Sequence, residues 1–177
     1  MRQRLMWMVL FCAAVTGTAL YRARTVGATP ADGYTSTTLA VGRVGNIDVF
    51  NHYLPPNTKL RDRERNLWLS WQKTKGPSDL YVQNNIWQAG GSTGWHSHPG
   101  HSLIIVTAGT VTNYESDDPE CKPHVYSAGM AFVDAGGDHS HNVRNEGTVE
   151  AQTIAFQVIP AGQPRRIDEA NPGNCMF

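Results

Sequence analysis

The chain has 177 residues, one domain's worth, and combines 17 glycines and 10 prolines with a 40% hydrophobic content; this suits a turn-rich β protein better than a helical bundle. Its 15 basic and 15 acidic side chains balance at neutral pH. That balance lacks the basic excess a nucleic-acid binder uses.

The amino-terminal segment reads as a targeting sequence. Met1-Arg2-Gln3-Arg4 is a short basic head, and Leu5 to Leu20 is mostly apolar, yet too short and too interrupted by small polar residues for a membrane span. Val26-Gly27-Ala28 supplies the small residues of a cleavage pattern, so residues 1–28 are expected to be a secretory signal peptide cut after Ala28. A retained N-terminal anchor is the alternative, because Arg22 and Arg24 follow the apolar run. Phe11 stands before Cys12 where a lipobox needs a small residue, which argues against lipidation. Cleavage removes Arg2, Arg4, Arg22 and Arg24 and leaves 11 basic against 15 acidic side chains, a formal charge of −4. The expected product is secreted or held in the periplasm or cell envelope, without stable membrane insertion and without a nucleic-acid partner.

Residues 29–45 are small, polar and Gly-containing and are expected to be a mobile lead-in, part of an N-terminal extension over 29–75. Within it, Arg61 to Arg65 (Arg-Asp-Arg-Glu-Arg) reads as a solvated, self-paired surface turn. Leu67-Trp68-Leu69-Ser70-Trp71 is apolar enough to pack on something, as a strand or a helical turn. From residue 79 strand signals become frequent: Leu80, Val82 and Ile86 alternate with polar neighbours, Ala89 to Ser92 is a turn, and Leu103 to Thr107 is a β-branched run ending at Ala108-Gly109. Val111–Tyr114, Met130–Val133 and Val149–Val158 follow, the last with Ile154, Phe156 and Val158 on one face. Ile159-Pro160-Ala161-Gly162 ends it, since Pro cannot extend a central ladder. Short strands without helical spacers indicate an all-β sandwich or barrel, here over residues 76–165.

Five of the seven histidines lie in two clusters, His96, His98 and His101 and then His139 and His141. On an extended strand a His-x-His pair points both rings to one face, and a third His from a later strand could complete a metal site with open positions. His96, His98 and His141 are the candidate ligands. Strand alternation turns His101 away, unless Pro99-Gly100 kinks the chain. Neutral imidazoles leave a divalent charge uncompensated, which favours an anionic substrate or a bound hydroxide. They do not choose between Fe, Zn, Ni, Mn and Cu. His139 is a candidate proton donor or catalytic group at the site's mouth. Trp95 is expected to pack on the opposite face from His96, and Asn145 to hold a turn. Tyr126 and Gln157 sit in predicted strands without an assigned role, and His52 and His124 lie outside the clusters.

Once Cys12 leaves with the signal, Cys121 and Cys175 form an even count in an oxidising compartment. They read as a disulfide tying the C-terminal tail, residues 166–177, to the domain. As a metal pair their spacing matches no compact ligand set.

The two clusters are phased by glycines in a way that resembles the cupin superfamily. Gly90, His96, His98 and Gly109 match its first motif, with Ser102 where a Glu should stand; Gly129, Gly137, His141 and Asn145 match its second, with Ala135 in place of Pro and one extra residue before His141. The resemblance covers roughly residues 79–162. It implies a single jelly-roll β-barrel, and its spacing to Asn145 selects His141 over His139 as ligand. Loss of the carboxylate at Ser102 implies a bare three-His site with less affinity for a hard metal such as Mn, an arrangement similar to that of thiol and diketone dioxygenases. Two functions are expected: a small-molecule metalloenzyme such as a dioxygenase, or a non-catalytic metal or small-ligand binding module of the cell envelope. Absence of an obvious general base besides His139 favours the second. Cupins often pair, and exposed edge strands would allow a homodimer.

Overall fold

A computed structural model describes residues 27–177, so the signal-peptide or anchor reading falls almost wholly outside the described residues. Twelve strands follow in chain order: β1 (Asp32–Val44), β2 (Asp48–Tyr53), β3 (Trp68–Lys73), β4 (Ser78–Ser92), β5 (His96–Ser97), β6 (Ser102–Ala108), β7 (Thr110–Glu115), β8 (His124–Ser127), β9 (Ala131–Asp134), β10 (His141–Arg144), β11 (Ala151–Pro160) and β12 (Ile167–Asp168). Ten of them form one antiparallel sheet that curls into a nearly closed barrel, with the path β12-β5-β10-β4-β11-β6-β9, β1 on the free edge of β4, β7 on β10 and β8 on β7. Among the described residues no helix is long and apolar enough to cross a membrane.

The long β4 organises the barrel. One edge pairs with β11 from Trp87↔Ala151 to Ser78↔Pro160, and the other pairs with β1 from Tyr34↔Trp87 to Val44↔Ser78. Residues 32–44 are therefore a strand of the main sheet and not a mobile lead-in. Tyr34 and the Thr-rich run after it have β-propensity, but most of β1 is exposed, so the strand lacks the apolar alternation by which half-buried strands are read. At the other end β12 pairs with β5, so the sheet also reaches into the C-terminal segment.

Leu60–Asn66 makes two short helical turns, a 3₁₀ turn followed by α1 (Arg63–Asn66), in which Arg65 pairs with Asp62, as the charge pattern suggested. The apolar run after it behaves differently. β3 pairs only with β2 in a separate two-stranded sheet, leaving Trp68 and Trp71 57% and 68% exposed, so the expected packing partner is not found among the described residues.

The core lies between the two walls of the barrel and is built by alternate residues: Trp87, Ile104, Val106, Val111, Phe132, Val143, Ala151 and Ala155. A smaller cluster of Trp95, Tyr114 and Cys175 sits on the outer side of β5. There the Cys121–Cys175 disulfide, with Cα atoms 5.3 Å apart, fastens the C-terminus.

Candidate metal centre

Alternation on the short β5 segment separates four consecutive side chains. Trp95 is buried in the outer cluster, Ser97 donates its hydroxyl to Glu169 Oε1 at 2.8 Å, and His96 and His98 turn inward. His141 opens β10 directly opposite His96 in the ladder. The three rings thus come together with every ligand atom within 4.8 Å of the others, and His96 Nε2 and His141 Nε2 are 3.2 Å apart. All three residues are buried.

Their surroundings prepare the rings as donors. His96 Nδ1 lies 2.9 Å from Gly94 O and His98 Nδ1 2.7 Å from Arg165 O, so each Nδ1–H donates to a backbone carbonyl and the Nε2 lone pair faces the centre. His141 Nδ1 has no protein partner. Burial first, and then the other imidazoles and nearby Arg166, hold the His96 pKa well below the usual histidine range. Burial also lowers the pKa values of His98 and His141, with Asp134 opposing it at both. Neutral imidazoles are the form that binds a metal, and three of them within reach of one point fit a divalent ion. The metal's identity is not fixed by them.

The centre opens into a barrel cavity of about 480 Å³, counted to its open mouth. Its lining includes Tyr34, Gln83, Thr153 and Gln157 with the two cations Arg165 and Arg166. Arg166 is anchored by Nη2 donating to Thr93 O at 2.6 Å and Nε donating to Asp168 Oδ1 at 2.5 Å, while its buried Nη1 has no protein partner. Burial lowers the Arg165 pKa. Gln157, unassigned from sequence, donates to Arg165 O at 3.3 Å and leaves its Oε1 free inside the barrel. Tyr126 instead stacks on Phe132 beside the core.

Three candidate residues stand elsewhere. The His139 side chain is 57% exposed, contacts Asp117 Oδ2 through Nδ1 at 3.0 Å, and does not line the cavity. Strand parity fails there because β10 begins only at His141. His101 lines a separate surface pocket with Pro99 and Gly100, as alternation predicts. Asn145 is the expected turn clamp: its Nδ2 donates to the carbonyls of Trp87, Gln88 and Val149, and its Oδ1 accepts from Gly147 N.

Sequence reasoning missed Asp134, Tyr34, Arg165 and Arg166. Asp134 is buried at the end of β9, opposite Ser102 in the β6–β9 register, with Oδ2 3.4 Å from His98 Nε2 and 3.9 Å from His141 Nε2. The available signal was its parity with Phe132, one residue beyond the strand expected to end at Val133. Arg165 and Arg166 follow a stretch read as a strand end, and nothing local announces that they fold back over the barrel.

Residues 86–157 match the family model described as Cupin domain. Similar solved structures include an oxalate oxidase (20% identity, 46% of each chain, TM-score 0.40), a cupin superfamily protein of Desulfitobacterium hafniense (12% identity, 45% of this chain and 67% of the other, TM-score 0.39) and a DMSP lyase of Ruegeria pomeroyi (16% identity, 53% and 45%, TM-score 0.45). The aligned part spans about half the length of the oxalate oxidase and the lyase. No curated protein matches the chain. The glycine phasing and the strand order around the histidines agree with that match, so residues 86–157 of this chain are similar to a cupin domain.

Proposed function

We propose that the chain is a secreted metalloenzyme that uses its triple-His centre on a small anionic molecule, in an oxygen-dependent oxidation of the dioxygenase class. The observation that carries this reading is the buried His96–His98–His141 cluster opening into a cavity that also presents Arg165 and Arg166. A divalent transition metal held there supplies Lewis-acid chemistry and, when it is iron or copper, redox chemistry. The chain's own groups do the remaining work. Gly94 O and Arg165 O orient two imidazoles, Arg166 Nη1 offers an unused donor to an anion, and Ile104, Phe132 and Val143 give the cavity apolar walls that exclude water. The cavity volume suits a small-molecule substrate.

The test is metal analysis of the chain purified from its native compartment, followed by oxygen uptake of the iron-loaded protein with a thiol, diketone and phenolic panel. A stoichiometric transition metal and uptake that disappears in His96→Ala are expected; absence of metal even after reconstitution, or no uptake on any substrate, sinks the enzyme reading. Thermal stabilisation by metal or small ligand without turnover would place the chain in the second class, a non-catalytic binding module. The sequence argument for that class was the lack of a carboxylate near the ligands, and Asp134 supplies one. Secretion is part of the proposal. The Cys121–Cys175 bond supports it, since such bonds persist in oxidising compartments, and amino-terminal sequencing of exported protein should find cleavage after Ala28.

A further inference from the structure

We propose that Asp134 is a fourth, anionic ligand of this centre, its Oδ2 joining the Nε2 atoms of His96, His98 and His141. The inference rests on the metal-binding reading above and extends it.

Distances allow it. Two atoms bound to one ion by bonds of about 2.0–2.2 Å stand no more than about 4.4 Å apart. His96 to His141 at 3.2 Å, His98 to Asp134 at 3.4 Å and His141 to Asp134 at 3.9 Å all fall inside that limit. The carboxylate stands on the His98 and His141 side of the cluster, outside the group of ligand atoms that lie within 4.8 Å of one another, so it reaches a shared ion by a small shift toward His96.

Its own bonding leaves one oxygen uncommitted. Oδ1 accepts the Gly136 N–H at 2.9 Å, which fixes the plane of the carboxylate. Oδ2 has only a long hydrogen bond from Ser102 Oγ at 3.3 Å and the two imidazoles. Among the described residues no Lys or Arg forms an ion pair with Asp134, although it is 5% exposed. A buried carboxylate without a cation is costly. A divalent ion among those rings is the missing partner. Ser102 contributes by being small, since the residue across the ladder can then extend its carboxylate into the centre. The first-motif acid absent at Ser102 is thus replaced from the neighbouring strand, and the donor set gains a hard anionic oxygen that favours Mn(II) and Fe(II) over what three imidazoles offer.

The experiment is Mn(II) and Ni(II) titration of the chelator-stripped full chain, following free Mn(II) by EPR, for wild type, Asp134→Asn and the relocation variant Ser102→Glu/Asp134→Ser. Asp134→Asn is expected to weaken Mn(II) binding by more than about 100-fold, beyond the range for losing a mere hydrogen-bond partner of a ligand, and Ni(II) binding by much less. Relocation is expected to recover Mn(II) affinity to within about tenfold of wild type. Stripped Asp134→Asn should melt at or above the wild-type temperature, because a buried charge has gone. Mn(II) affinity within about threefold of wild type in Asp134→Asn overturns the fourth ligand, and so does a drop in the melting temperature of the stripped variant, which would make Asp134 part of the scaffold. Failure of the wild-type chain to bind either metal overturns the metal centre itself, a result distinct from both.

Discussion

Asp79 illustrates what one residue contributes away from the centre. Nearly buried at the start of β4, it accepts from Arg43 Nε at 2.6 Å and Arg43 Nη2 at 2.9 Å across the β1–β4 ladder, and from Gly162 N at 2.8 Å after β11. The Arg43 guanidinium, followed by the Gly162 N–H, lowers its pKa to about 2. A carboxyl whose folded pKa is depressed adds stability that is full above its ordinary value near 3.8 and disappears as the pH falls through about 2. Thermal melting of wild type should therefore lose stability between about pH 4 and 2, and Asp79→Asn should flatten that part of the curve while being less stable at neutral pH. An unchanged acid limb in the variant would remove Asp79 from the account. Arg43 is 61% exposed, so solvent screening keeps this effect modest. The same scale shows what was legible at the centre. His96 and His98 were readable because period two needs only two residues, and His141 because the motif spacing reaches it. Asp134 was not, because its meaning comes from a partner 32 residues earlier in the chain.

At the scale of elements the main surprise is the face each strand turns inward. The apolar residues that announced β4 and β11, Val82, Ile86, Ile154 and Phe156, lie on the outer, half-covered face, whereas the interior receives Gln83, Asn85, Thr153 and Gln157 beside Trp87 and Ala155. Period two holds on both strands with the polar residues inward, where they line the cavity instead of filling a solid core. Loops carry the remaining precision. The β9–β10 connection donates Gly137 N to His98 O at 2.7 Å and Gly136 N to Asp134, so it positions one candidate ligand and the adjacent carboxylate. Gly136 has φ +66°, and a Cβ there would stand 2.1 Å from Gly100 O, a backbone atom with little room to retreat. Gly136→Ala is expected to lower unfolding free energy in urea by about 3 kcal/mol or more and to weaken metal binding. Gly129→Ala is the control: its φ is +89° but nothing lies within 4 Å of the added Cβ, so about 1 kcal/mol should be lost. Equal losses in the two variants would refute the clash.

For the whole molecule, the barrel over residues 79–162 was legible because its strands are short, punctuated by glycine and rich in β-branched residues. The parts that wrap it were not. β1 is polar and exposed, and β12 is two residues long, so each is recognisable only when paired, one with β4 and the other with β5. The C-terminal segment consequently both holds the barrel and reaches the candidate centre: it brings Arg165 O to His98, Glu169 N to Trp95 O, and Phe177 against the Tyr114 ring at 4.8 Å. What fastens its far end is the Cys121–Cys175 bond, spanning 54 residues. Cross-linking a loop of that length removes unfolded-chain entropy worth about 4 kcal/mol, a sizeable part of the roughly 5–15 kcal/mol that stabilises a domain. Cys121→Ser/Cys175→Ser should therefore lose about 4 kcal/mol in urea denaturation, wild type under reductant should fall to the same value, and reductant should leave the variant unchanged. A loss below about 1 kcal/mol would mean that the packing of Trp95, Tyr114 and Phe177 holds the tail without the covalent bond. The metal affinity provides the second reading of the same experiment. Because β12 pairs with β5 and lies upstream of Cys175, the variant should bind metal like wild type at temperatures well below its lowered melting point, and a parallel loss of affinity would instead join the outer cluster to the site.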